Sequence, residues 1–150
     1  MVEYTKLGAY YCECSHIIPS HIVGQAGEYL AAAVLQPHFR GIAFPGLPSP
    51  YDLVVESNAG TFLRCQVKTS GTPSKQRAGT YWRFNTGTRL KPYLKSDVDF
   101  FALVILPLRI CIFLDVSDIT GPTYRIPTNK LDLDIENKSL NKVLGNYINE

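Results

Sequence analysis

Apolar and polar positions along this chain repeat with two periods. Val23, Gly27, Leu30 and Val34 recur at helical spacing with alanines beside them, between Ser20 as a helix cap and Pro37 as a stop. A helix is therefore predicted over residues 21–36, with side chains small enough to approach a sheet closely. Shorter runs follow. Residues 41–44 read as a brief strand, and a proline-rich loop over 45–50 is rigid by composition. Residues 50–56 and 61–68 flank Ser57-Asn58-Ala59-Gly60 and read as a β-hairpin, whose Asn and Gly supply the unusual angles of a short turn. Tyr81, Arg83 and Asn85 alternate with Trp82 and Phe84, the pattern of a strand with one polar and one apolar face. Continuous apolar runs at 100–106 and 109–115 predict strands buried on both faces, at the centre of a sheet. After the polar stretch 128–138, Leu140, Val143, Leu144 and Tyr147 predict a closing helix. The order describes an α/β domain with a central mixed sheet flanked by helices.

Composition changes this picture little. At 150 residues the chain fits one domain with a real core, and 45% hydrophobic with 19% charged residues is ordinary for a globular protein. No apolar run reaches the length of a membrane span, and no signal peptide opens the chain. Cys12, Cys14, Cys65 and Cys111 form no spaced framework, so reduced thiols in a cytoplasmic protein are expected. Cys12-Glu13-Cys14-Ser15-His16, with His21 nearby, invites a zinc reading. Its C-x-C spacing is tighter than the usual ligand pair, however, and no second pair follows. Small side chains facing a core or a partner are the preferred reading there.

Charge changes it more. The net charge is only +2, yet no Asp or Glu occurs from residue 57 to 96, where Arg64, Lys68, Lys75, Arg77, Arg83, Arg89, Lys91 and Lys95 all fall. Local positive charge is what binds phosphate. Within residues 71–95 the basic side chains alternate with aromatic ones, and an antiparallel ribbon of that kind fits the DNA major groove. Lys75, Gln76, Arg77, Tyr81, Arg83, Asn85, Arg89, Lys91 and Lys95 are its candidate DNA contacts. The alternative is a solvated basic loop.

The hairpin carries the candidate chemistry. A period of two puts Gln66 and Lys68 on one face of the second strand with Val67 on the other, and Asp52 enters the first strand just after a proline. A carboxylate, an amide and an ammonium can thus meet at one end of the hairpin. Glu28 lies beside the apolar stripe of the first helix, as a solvated glutamate or as a second acid for the same site.

Pro50-Tyr51-Asp52-Leu53-Val54-Val55, then Arg64-Cys65-Gln66-Val67-Lys68-Thr69, after a Gly/Ala-rich helix bearing Glu28, resembles the PD-(D/E)XK nuclease superfamily. The likeness spans residues 24–114 and is strongest to the branch that contains a group I intron homing endonuclease. Pro50-Tyr51-Asp52 stands for Pro-Asp with one residue inserted; Gln66-Val67-Lys68 stands for (D/E)-X-K with Gln in place of the acid. The resemblance implies a restriction-endonuclease-like core and a site-specific endonuclease that uses Mg2+ or Mn2+. It implies Asp52 as the central metal ligand, Glu28, Gln66 and the Val67 carbonyl as further ligands, and Lys68 as the group that orients water and opposes phosphate charge. The partner would be double-stranded DNA, at a long pseudo-palindromic site. Cutting both strands calls for a homo-oligomer, a dimer or tetramer, with the tyrosine-rich N-terminus and the apolar face of the C-terminal segment as candidate interfaces. A Holliday-junction resolvase and a catalytically inactive DNA-binding module on the same fold are the alternatives.

Overall fold

The chain, as a computed structural model, is described here over residues 18–46, 48–87 and 91–147. Helix α1 spans Ser20–Leu35. The Pro19 carbonyl opens it, accepting the N–H groups of Ile22 and Val23 at 3.0 and 3.2 Å. Ser20 is already helical and the helix has no side-chain cap, which corrects the expected capping role. The fully buried line is Gly27, Ala31 and Leu35. Leu30 and Val34, from the predicted stripe, are only partly buried. The face with the smallest side chains wins because it allows the closest approach to the sheet.

Five strands make the central sheet, in the order β1-β2-β3-β6-β7. They are β1 Gly41–Ala43, β2 Leu53–Glu56, β3 Phe62–Ser70, β6 Phe100–Ile105 and β7 Ile110–Asp115. The β3–β6 pair is parallel and the other pairs are antiparallel. The predicted hairpin is β2–β3. Its turn is closed by Ser57, whose Oγ accepts the Thr61 N–H at 3.0 Å and whose carbonyl accepts the Gly60 N–H at 2.9 Å. Gly60 takes the left-handed angle (φ 84°), and Asn58 does not.

Strand β6 is buried along its whole length, as its unbroken apolar run requires. Strand β7 differs from expectation: it is a sheet edge rather than the centre. Helix α2 (Ile135–Tyr147) closes that edge, with Glu136 Oε2 accepting the Cys111 N–H at 2.8 Å and Ser139 Oγ accepting the Phe113 N–H at 3.0 Å. Edge donors that would otherwise invite another strand are thereby occupied. Leu140, Val143 and Leu144 of α2 are buried in the core. The apolar face proposed for a subunit interface is therefore used inside the fold.

Both helices cover one face of the sheet, where Ala31, Leu35, Leu140 and Val143 pack on Phe100, Ala102 and Val104. The opposite face of β6, with Phe101, Leu103 and Ile105, packs against Trp82, Phe84 and Ile126 of a second, three-stranded sheet. That sheet has the order β4-β5-β8, with β4 Ser74–Gln76, β5 Gly79–Asn85 and β8 Thr123–Pro127. The fold class is the expected α/β core with a mixed central sheet. Strand β8 has no counterpart in the sequence pattern, because its five residues alternate too briefly to stand out from the polar sequence around them.

Candidate active site

Ladder pairing between β2 and β3 begins at Leu53 and Cys65. Asp52 adds one more backbone bond, its N–H donating to the Cys65 carbonyl at 2.9 Å. There β2 gives out while β3 runs on, and Val67 turns its N–H and C=O toward the gap. The Asp52 carboxylate fills it: Oδ2 accepts the Val67 N–H at 2.8 Å and also the side-chain amide of Gln66. Gln66 is buried, 6% exposed, and its Nε2 makes a second, longer bond of 3.3 Å to the Val67 carbonyl. One amide group thus bridges two of the oxygens expected to hold a metal.

Burial pushes the Asp52 carboxyl above its ordinary range, outweighing the Val67 N–H, the Lys68 charge and the Gln66 amide, all of which favour the anion. Burial likewise raises Glu28, and the neighbouring Asp52 charge raises it further. The first helix and the start of β2 therefore bring two carboxylates within each other's field. Gly27 makes this possible. A Cβ there would lie 1.8 Å from Thr69 Oγ1, so α1 rests directly on β3 one residue past Lys68.

Lys68 reaches the site from the other face. In the β3–β6 register Gln66 faces Phe101 and Lys68 faces Leu103, so the two share the side opposite Val67. Lys68 Nζ donates to the Tyr93 hydroxyl at 3.2 Å, and the Tyr93 ring stands edge-on to Phe101 with centroids 5.3 Å apart. Sequence reasoning missed Tyr93. It lies in a loop with no periodicity, 25 residues after the lysine it touches.

The candidate DNA contacts divide by face. Gln76, Tyr81, Arg83 and Asn85 share the outer face of the three-stranded sheet, while Trp82 and Phe84 are buried as their alternation required. Lys75 pairs with Thr80, on the side opposite Gln76, and Arg77 lies in the β4–β5 turn. Lys91 and Lys95 are exposed on either side of Tyr93. Arg89 and the Cys12–His16 cluster lie outside the described residues. Arg64 is committed elsewhere, with Nε and Nη2 donating to Asp99 at 3.0 Å and its remaining donors to the Lys95 and Ser96 carbonyls. It ties down the Lys95 loop while staying partly exposed. The two described cysteines, Cys65 and Cys111, are free and buried, and burial pushes the Cys111 thiol up to about 12.

Residues 19–141 match the PD-(D/E)XK endonuclease family. The chain belongs to that family. Its members are nucleases of DNA and generally use divalent metals. The nuclease fold is seen again in a solved structure titled a bacterial homing endonuclease, I-Ssp6803I, with a TM-score of 0.65, 18% identity, and 87% of this chain and 97% of that chain covered. A search of the curated proteins gave no match. Against the family pattern, this nuclease carries Gln66 where the second acid would stand. Among the described residues no three His, Cys, Asp or Glu side chains gather as a metal cluster. Two carboxylates, with Asp52 disfavouring the ionisation of Glu28, beside a backbone carbonyl are nonetheless hard oxygen donors of the kind Mg2+ takes. The residues present fit such an ion, with a carbonyl and an amide supplementing the acids.

Proposed function

We propose that this chain is a site-specific double-strand DNA endonuclease of the homing type, dependent on Mg2+ or Mn2+. The observation that carries the reading is the convergence on one notch of Glu28 from α1, Asp52 from just ahead of β2, and Gln66 and Lys68 from β3. Asp52, Glu28, the Val67 carbonyl and the Gln66 side-chain oxygen would hold the ion. A bound ion of this kind would polarise the phosphate and make a water ligand more acidic than bulk water.

The protein groups do the rest. Lys68, steadied by Tyr93, opposes the charge that builds on the phosphate and orients the attacking water. Asp52 is held by the Val67 N–H, so its free oxygen has a fixed direction. Gln66 acts as a ligand only after its amide turns, because the nitrogen now faces Asp52. The outer face of the three-stranded sheet, with Gln76, Tyr81, Arg83 and Asn85, reads the duplex, while Lys75, Arg77, Arg89, Lys91 and Lys95 add charge near the backbone. The whole chain would form one nuclease domain with this reading ribbon inserted around residues 71–95. A two-fold or four-fold assembly in a reducing, DNA-containing compartment such as the bacterial cytoplasm would present one site to each strand. Among the described residues no helix is long and apolar enough to cross a membrane.

Gln66 favours one second reading: an inactive DNA-binding module, its notch closed by the amide. Incubating the protein with a randomised duplex library in Mg2+ or in EDTA, then sequencing the ends, decides between them. Discrete double-strand ends that need Mg2+ support the proposal. Binding without any ends supports the inactive module, and an intact duplex library beside a cut four-way junction, offered as a second substrate, supports a resolvase.

A further inference from the structure

Strand β8 places a second arginine on the reading face. Arg83 of β5 and Arg125 of β8 are register partners in an antiparallel pair, so both project from the same side of the sheet. Both are exposed. Like charges directly opposite in a sheet are destabilising. No acidic residue occurs in β4, β5 or β8, and no ion pair to either arginine is found among the described residues.

The face from which the pair projects is fixed. The alternate positions Trp82, Phe84 and Ile126 are buried against the central sheet, which fixes which face points out. Beyond the strands, Thr86 donates its N–H to the Pro122 carbonyl at 2.9 Å and its hydroxyl to the Gly121 carbonyl at 2.8 Å, pinning β5 to the approach of β8. Arg125 is further steadied by the Tyr81 ring, 5.3 Å from its guanidinium carbon to the centroid. Two arginines paired across the ladder on one face, without a carboxylate between them, leave a place that one bridging anion completes.

We propose that Arg83 and Arg125 together clamp a single phosphodiester of bound DNA. The inference rests on the endonuclease reading above and revises it at one point. Arg83 becomes a backbone contact, and base reading is left to Asn85 and Gln76 on the same face. Arg125, which no helix or strand pattern in the sequence exposed, becomes a DNA-binding residue.

The test measures binding to a long random-sequence duplex by fluorescence anisotropy across a salt series, with melting curves of the free protein. Arg125→Gln and Arg83→Gln should each weaken binding and lower the slope of log affinity on log salt, and the double variant should lower it by about 0.9, the increment that one neutralised phosphate contributes. Because the two share a phosphate, the double variant should lose less than the sum of the two. Free protein should melt at a higher temperature in each single variant, and higher again in Arg125→Glu, where repulsion becomes an ion pair. A merely structural role for Arg125 on Tyr81 predicts the opposite sign of that shift. The clamp is overturned if Arg125→Gln binds with wild-type affinity and salt slope while wild-type protein still cuts DNA. If wild-type protein neither binds nor cuts any duplex, the endonuclease reading falls and the clamp with it.

Discussion

The side-chain amide of Gln66 and the backbone N–H of Val67 donate to the same oxygen of Asp52. Replacing that amide by a carboxylate tests what it is for. In Gln66→Glu two anions meet in a half-buried notch, which is costly without a cation between them. The variant should melt lower than wild type in EDTA and recover in Mg2+. It should also reach half-maximal cleavage at a lower Mg2+ concentration. An unchanged Mg2+ titration would place Gln66 outside the set of ligands.

Asp52 and Asp115 should shift stability with pH in opposite senses. Burial raises Asp52 above 3.8, so protonation favours the fold; its contribution is present below that value and lost as pH rises through the folded pKa. For Asp115 burial also acts upward, but bonds from Ser117 (2.9 and 2.6 Å), the Tyr147 hydroxyl (2.9 Å) and Asn146 (3.4 Å) outweigh it and hold the carboxyl below 3.8. Its contribution is present above 3.8 and lost as pH falls through the lowered value. At neutral pH in EDTA, Asp52→Asn should therefore melt higher than wild type and Asp115→Asn lower. Both gaps should narrow in acid. An Asp52→Asn protein that melts lower than wild type at neutral pH would contradict the burial argument.

Tyr93 makes its case through Lys68. Tyr93→Phe keeps the ring on Phe101 and removes only the hydroxyl that accepts from Lys68 Nζ. A hydrogen bond to a charged group contributes up to about 1.5–3 kcal/mol, so melting should fall slightly, while single-turnover cleavage slows on the order of ten-fold through the loss of Lys68 positioning and DNA binding stays unchanged. Added to Lys68→Ala, the same change should have no further effect. Wild-type rates in Tyr93→Phe would reduce the contact to packing.

Much of the candidate site's geometry was legible because it is local. Asp52, Gln66 and Lys68 lie on one hairpin, where a period of two and a turn signal are enough to place them. The unbroken run Phe100–Ile105 gave the buried strand for a similar reason. What escaped depends on distant partners. Tyr93 and Arg125 belong to segments whose roles are set by the strands they meet across the fold, and no periodicity announces either. Strand β7 read as central because an edge covered by a helix is as apolar as an interior strand. On the first helix Gly27 and the close approach were expected, but the buried line runs through Ala31 and Leu35 and leaves Leu30 and Val34 only partly buried.

Gly27 gives the last test, since it joins the packing of α1 to the position of Glu28. A Cβ at residue 27 would meet Thr69 Oγ1 at 1.8 Å, and Thr69 Cβ and Cγ2 at 2.9 Å. Rotating Thr69 does not clear the space, because one branch or the other stays in the way. Helix α1 must therefore lift from β3. Gly27→Ala gains up to about 1 kcal/mol of helix propensity but incurs about 1–3 kcal/mol of overpacking. The net loss of stability should be small, while Glu28 moves with the helix and cleavage falls much further. Thr69→Ala should be mild alone, since Oγ1 is a buried hydroxyl without a hydrogen-bond partner. Combined with Gly27→Ala it removes the 1.8 Å clash and should restore part of the cleavage rate. Full activity in Gly27→Ala would show that Glu28 does not depend on this close approach.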